Sequence, residues 1–209
     1  IFCAAVNYAA HRAEMGRDES GAHPMIFLRT PASLVPAGEP ILKPRDSDCL
    51  DYEGELALVI GKPGRRITQA QALDHVAGWM AFMDGSVRDW QRHTAQFTPG
   101  KNADRSGSLG PELVPPEAFG DWRAHRLETR VNGILVQETQ TDLMLVPVEA
   151  LIAYVSRFTE LRPGDIIATG TCGGVGEKRV PPLYLFPGDV VEVAVSGLPV
   201  LRNPVAAEP

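Results

Sequence analysis

The chain has 209 residues, of which 44% are hydrophobic and 22% charged, with a formal net charge of −6. That length supports one domain with a substantial core. The acidic balance, with no lysine/arginine block, argues against a nucleic-acid binder and against an anionic membrane surface as partner.

Ile1 to Val6 is short, has no basic lead-in and is followed by Asn7-Tyr8, so it reads as a strand and not as a signal peptide. The chain opens without methionine, and a longer natural chain with a preceding segment is expected. Ala9 to Met15 reads as a short helix and Met25 to Arg29 as a strand. Thr30 to Asp48 is punctuated by proline and reads as irregular, with Pro40 to Pro44 an edge strand at most. Leu50 to Ile60 reads as one long strand ending at Gly61. Thr68 to His75 carries a capping-box pattern, Thr68 with Gln71, and is predicted helical. Val76 to Asp84 is apolar and reads as a buried strand, and Arg88 to Gln96 as a loop or short helix. Leu127–Val131 and Ile134–Glu138 flank Asn132-Gly133, a strong hairpin signal. Pro147 to Phe158 places Val148, Leu151, Ile152 and Val155 on one helical face. Two Pro-Gly-Asp turns, at 163–165 and 187–189, lead into the strands Ile166–Thr169 and Val190–Val195. The pattern predicts a single α+β domain, mostly β, with a few short helices. No apolar run approaches the roughly 20 residues that span a bilayer. Cys3, Cys49 and Cys172 lie far apart, which fits reduced thiols in a cytoplasmic setting and no sulfur-bound zinc.

Alternation along the Leu50–Ile60 strand points Glu53 and Glu55 the same way. Two carboxylates feeding into a hydrophobic run repel each other and resist burial. A hard divalent cation between them removes both penalties, and oxygen ligands suit Mg²⁺, Mn²⁺ or Ca²⁺. Taken alone, the strand is better explained by an outer face carrying two solvated glutamates. Asp84 closes a buried strand and can complete a three-carboxylate set, although an Asp before Gly is more often a turn residue. His11 and Glu14 share a helix face, where the carboxylate can fix the imidazole tautomer and let it take a proton from water; the plain alternative is a surface pair worth well under ~1 kcal/mol. Lys101, after Pro99-Gly100, is held on a loop and can meet an oxyanion; most lysines are simply solvated. Gly170 to Gly176 matches no nucleotide-binding signature and reads as a tight turn presenting N–H groups and Thr171 to a small anion.

These pieces together resemble one family. Asn7 to Met15, Tyr52-Glu53-Gly54-Glu55-Leu56, Asp84 with Ser86 to Gln91, Gly100-Lys101, Gly110-Pro111, Pro163 to Thr171 and Leu201 to Pro204 occur in order, as in the catalytic C-terminal domain of the fumarylacetoacetate hydrolase family. The match runs from residue 1 to about residue 205, so the whole chain is expected to form one such domain. The resemblance implies a mixed β-sheet roll, usually dimeric, with a divalent metal in a cleft. It assigns Glu53, Glu55 and Asp84 as metal ligands, His11 and Glu14 as the water-activating pair, Lys101 as the enolate-stabilising lysine, and Arg88, Gln91 and Thr171 as substrate-holding residues. Met83 stands where many members carry asparagine, and Cys172-Gly173 where proline and a small residue are common. The run Gln91 to Phe97 departs from the family and is a candidate pocket lining, with His93 more simply a surface histidine.

The expected chemistry is metal-dependent hydrolysis of a carbon–carbon bond in a small 2,4-diketo acid of the acylpyruvate or fumarylpyruvate type, giving pyruvate and a carboxylic acid. The alternative is decarboxylation or keto–enol isomerisation of a related oxo-acid, of the oxaloacetate or hydroxymuconate type. A non-catalytic scaffold is a third reading, disfavoured because all six catalytic and ligand positions are filled. A small-molecule substrate and a homodimer are expected, with neither nucleic acid nor membrane as partner.

Overall fold

A computed structural model describes residues 1–16 and 23–209. Fourteen strands appear in chain order among them: β1 (Phe2–Ala5), β2 (Met25–Leu28), β3 (Leu34–Pro36), β4 (Ile41–Lys43), β5 (Leu50–Asp51), β6 (Gly54–Ile60), β7 (Val76–Met83), β8 (Ser86–Val87), β9 (Gly107–Val114), β10 (Arg126–Val131), β11 (Ile134–Gln140), β12 (Ile166–Ala168), β13 (Val190–Val195) and β14 (Leu201–Ala207). The α-helices are α1 (Ala9–Glu14), α2 (Arg88–Gln91), α3 (Thr98–Lys101), α4 (Pro116–Phe119) and α5 (Val148–Phe158). The predicted mostly-β domain is the one observed.

A seven-stranded mixed sheet runs β2-β1-β12-β6-β7-β9-β3, and a five-stranded sheet runs β11-β10-β13-β14-β4. They pack through β6 and β7 against β10 and β13. The period of two along a strand sorts the side chains. Leu56, Leu58 and Ile60 of β6, with Trp79, Ala81 and Met83 of β7, enter the core shared with Leu127, Val193 and Val195 of the other sheet. The alternate residues Ala57, Met80 and Phe82 form a second cluster with Cys3, Phe27 and Ala168. Glu55 lies in phase with Ala57, on the face turned away from the main core. Gly54 marks the closest approach of the two sheets: a Cβ there would come 2.0 Å from Thr129 Oγ1.

The predicted hairpin forms, with β10 antiparallel to β11 around Asn132-Gly133. Helix α5 buries Val148, Leu151, Ile152 and Val155, as its spacing requires. Three expectations are corrected. Leu50 to Ile60 is not one strand: β5 pairs with β8, β6 pairs with β7 and β12, and Tyr52-Glu53 lies in the break between them. Residues 69–75 form a 3₁₀-helix, and the Thr68 hydroxyl bonds the Gln71 side chain at 2.8 Å instead of capping the backbone. Within Thr30–Asp48, Leu34–Pro36 is not irregular but pairs in parallel with β9 as a sheet edge, whereas the expected edge strand does form, as Ile41–Lys43 in parallel with β14. None of the helices among the described residues is long and apolar enough to cross a membrane.

Topology delivers the site residues to one end of the larger sheet. Parallel pairing of β1 with β12 sends α1 and the 169–174 segment off the same edge. The antiparallel neighbours β6 and β7 begin and end there, with Gly54 opposite Met83. The next residue pair closes with Asp84 N–H donating to Glu53 O at 2.9 Å.

Candidate active site

Glu53, Glu55 and Asp84 each offer a carboxylate oxygen within 4.8 Å of the others, and all three are buried. Glu53 is gripped by two cations, Arg88 Nη1 at Oε1 (2.7 Å) and Lys101 Nζ at Oε2 (2.7 Å). Asp84 is gripped likewise, by Arg29 Nη1 at Oδ1 (2.5 Å) and Lys101 Nζ at Oδ2 (2.6 Å). Glu55 accepts the Gly170 N–H at 2.8 Å.

Burial alone would raise Glu53, but Lys101 and then Arg88 outweigh it and hold its carboxyl below the usual range. Burial opposes the charge on Lys101, and Asp84 and Glu53 restore and raise it. Glu55 is the odd group: burial first, then Asp84 and Glu53, push it well above the ordinary carboxylate value. The buried acids Asp51, Glu53, Glu55 and Asp84 outnumber the buried bases Arg29, Arg88 and Lys101 by one. An all-oxygen donor set that carries one negative charge in excess once Glu55 ionises fits a hard divalent cation.

The sign of the Glu55 shift gives a testable consequence. A carboxyl raised in the folded state stabilises the fold while protonated, and that contribution is lost as pH rises from 4.5 through the raised folded value. Metal-stripped protein is therefore expected to melt at progressively lower temperature as pH climbs above the ordinary carboxylate range, and Mn²⁺ is expected to flatten that decline. Melting curves in chelator and in Mn²⁺ that fall in parallel would rule out a cation at Glu55.

His11 is buried on α1, and its Nδ1 lies 2.7 Å from Glu14 Oε1. The other Glu14 oxygen accepts the Gly174 N–H at 2.9 Å. The pair is thus no solvated surface contact. Its Nδ1 occupied, the imidazole keeps Nε2 for proton transfer.

Arg88 follows β8, which pairs with β5, and its N–H bonds Cys49 O at 2.9 Å. Its Nε donates to Asp51 at 2.8 Å and its Nη1 to Gln91 at 3.0 Å, while Nη2 is buried without a partner. Lys101 is not on an open loop, as the sequence suggests, but closes α3 and is buried. Gly100 makes that placement possible, since a Cβ there would come 2.4 Å from Gln91 N. The Lys101 ammonium also sits 4.9 Å over the Phe27 ring. The N–H groups of the 170–174 turn do meet anions, but these are the chain's own Glu55 and Glu14. Thr171 Oγ1 donates to Gly54 O at 2.9 Å.

A cavity of about 530 Å³ joins His11, Glu53, Arg88, Gln91, Lys101 and Thr171. Arg92, Thr94, Ala95 and Phe97 also line it, as proposed for the Gln91–Phe97 run, whereas His93 is exposed and outside the lining. Cys172 is buried, free and raised to about 12, chiefly by burial. Sequence reasoning missed Arg29, all five of whose N–H groups are engaged, with Asp84, Gly85, Ser33 and Ser106. It also missed Asp51, which accepts from Arg88 and from the Gly176 and Glu177 N–H groups. In both cases the charged partner lies far off in sequence, and no local signal marks the residue as buried.

The family model described as fumarylacetoacetate (FAA) hydrolase C-terminal matches residues 1–206. An oxaloacetate tautomerase, fahd2, mitochondrial, of Xenopus laevis is 41% identical over 207 residues, covering 98% of this chain and 65% of the relative. The oxaloacetate tautomerase YisK of Bacillus subtilis is 38% identical over 208 residues, covering 98% of this chain and 69% of the relative. The chain therefore spans about two thirds of the length of these relatives. The crystal structure of fumarylpyruvate hydrolase from Pseudomonas aeruginosa, in complex with Mn²⁺ and pyruvate, superposes with a TM-score of 0.90 at 33% identity, covering 99% of this chain and 89% of that one.

Proposed function

The chain belongs to the fumarylacetoacetate hydrolase family, and from that premise we propose that it is a divalent-metal-dependent keto–enol tautomerase of a small 2-oxo dicarboxylate of the oxaloacetate type. The observation that carries this reading is the opening of His11, held from behind by Glu14, and of Glu53 into one cavity with Arg88 and Lys101. Glu53, Glu55 and Asp84 would hold the metal, Mg²⁺ or Mn²⁺, with Ca²⁺ a further option. When bound, it supplies Lewis-acid polarisation of the substrate's oxo oxygen. Arg88 offers its unpartnered Nη2 to the substrate carboxylate, with Gln91 and Thr171 beside it. His11 Nε2 takes a proton from C3 and returns it to the oxo oxygen, while Glu14 holds the ring and balances its transient charge. Lys101 places positive potential beside the developing enolate. The protein carries excess negative charge, so these side chains, not the overall field, must attract the anion.

The names of the two tautomerase relatives favour proton transfer over hydrolysis. Hydrolysis of an acylpyruvate is the second reading, supported by the likeness to the Pseudomonas hydrolase; there His11 takes its proton from water. Mn²⁺-loaded protein is expected to accelerate the loss of enol absorbance from oxaloacetate. Pyruvate with an equivalent of carboxylic acid from an acylpyruvate panel would favour the second reading, and carbon dioxide release would indicate decarboxylation. If none of the three occurs, the enzymatic reading fails. Arg88→Met is expected to raise KM by about tenfold or more, as loss of a charge-assisted hydrogen bond implies. A homodimer in the cytoplasm completes the proposal, although the Xenopus relative is named as mitochondrial.

A further inference from the structure

Gln137 lies on β11, at the edge of the five-stranded sheet, yet its side chain is 2% exposed and reaches the site built by the other sheet. Its amide is fully used. Oε1 accepts the Gly54 N–H at 3.0 Å, and Nε2 donates to Thr171 Oγ1 at 2.9 Å and to Cys172 O at 3.0 Å. Thr171 Oγ1 donates in turn to Gly54 O at 2.9 Å, which closes a ring of three side-chain hydrogen bonds around one residue, Gly54, and ties both peptide groups that flank it. The proton count fits only this arrangement: an amide brings two N–H donors and one oxygen acceptor, and a hydroxyl one of each.

The tied backbone is the part of the chain that carries the chemistry. Gly54 separates Glu53 from Glu55. The segment beginning at Gly170 holds Glu55 at one end and Glu14 at the other. Glu14 then holds His11. We propose that Gln137 is a positioning residue that pins the 170–174 segment to the Gly54 peptide, and so sets the carboxylate cluster and the His11–Glu14 pair in one mutual register. Among the described residues, no other side chain of the five-stranded sheet hydrogen-bonds the Gly54 backbone or Thr171. The inference rests on the metal reading for one of its two readouts and is independent of it for the other.

The test uses the full chain and Mn²⁺ alone, without substrate. Gln137→Glu keeps the acceptor for Gly54 but turns oxygen lone pairs towards Thr171 and Cys172 O; Gln137→Met keeps the volume and removes every bond. Calorimetric titration is expected to show Mn²⁺ binding weakened about tenfold in either variant, the size set by one lost buried hydrogen bond. The downfield Nδ1–H proton resonance of His11, recorded without metal, is expected to move or broaden in both. Generic loosening of the fold would lower the melting temperature and leave both readouts where they are. Variants that fold and give wild-type Mn²⁺ affinity and a wild-type His11 resonance would overturn the proposal. Wild-type protein that binds no Mn²⁺ would overturn the metal reading instead, and the His11 resonance would then decide the role of Gln137. Should neither variant fold, the wild-type Gln137 side-chain NH₂ protons decide it: their exchange is expected to slow about tenfold on adding Mg²⁺, and equal exchange with and without the ion would overturn the coupling.

Discussion

Replacing His11 with alanine is expected to lower kcat by about 10²- to 10⁴-fold, the usual contribution of a positioned acid–base group, while Mn²⁺ binding stays at the wild-type level. The separation follows from the layout. His11 bonds Glu14, and neither residue bonds Glu53, Glu55 or Asp84. Glu14→Gln should fall between the variant and the wild type, since an amide can still orient Nδ1 but cannot balance an imidazolium. Turnover of His11→Ala at the wild-type rate, measured on Mn²⁺-saturated protein, would remove His11 from the reaction under either functional reading.

The second large effect is expected from Asp84→Asn, and it is a stability effect as much as a functional one. Both Asp84 oxygens accept from cations, Arg29 and Lys101, and all three side chains are essentially inaccessible to solvent. An amide of the same shape turns an N–H towards one of those donors. Breaking one side of a buried pair costs about 3–5 kcal/mol, because the stranded charge stays out of water. Ionisation of Glu55 can restore the charge count, but none of the Arg29 hydrogen bonds goes to Glu55. Chemical denaturation should register the loss, and calorimetry should show Mn²⁺ binding abolished. The control is Arg162, whose pair with Glu160 is exposed; its removal should cost less than about 1 kcal/mol. Equal effects at the two positions would mean that Asp84 is not the junction the structure makes it.

The contrast between Asp84 and Arg29 shows where sequence reasoning stopped. Asp84 closes an apolar run and belongs to an ordered set of motifs, so its role is legible before any coordinates. Arg29 also closes a strand, β2, but its carboxylate partner lies 55 residues away, and nothing local marks it as buried. Asp51 and Gln137 escape notice for the same reason: a lone polar residue looks alike in sequence whether water or a distant peptide satisfies it. The break at Tyr52-Glu53 was hidden because the composition on either side is that of a strand. Only the pairing partners, β8 for Leu50–Asp51 and β7 for Gly54–Ile60, differ. Lys101 reads as a loop residue because the residues before it, Thr98-Pro99-Gly100, are turn-formers locally, whereas in the fold they form α3, packed against α2, β8 and β2.

Local periods and punctuation are legible in the chain before it folds: strands of alternating burial, the Asn132-Gly133 hairpin, the apolar face of α5, and the acidic and basic side chains able to serve a metal and a proton. These follow from interactions within a few residues of chain, which sequence records directly. Long-range packing settles the rest: which carboxylates lose their water, which cations neutralise them, and how α1, the start of β6, the end of β7 and the 170–174 segment meet at one end of a sheet. Those outcomes depend on strand pairing between residues as far apart as Cys3 and Ala168, and the electrostatics of each group changes with the neighbours that such pairing brings.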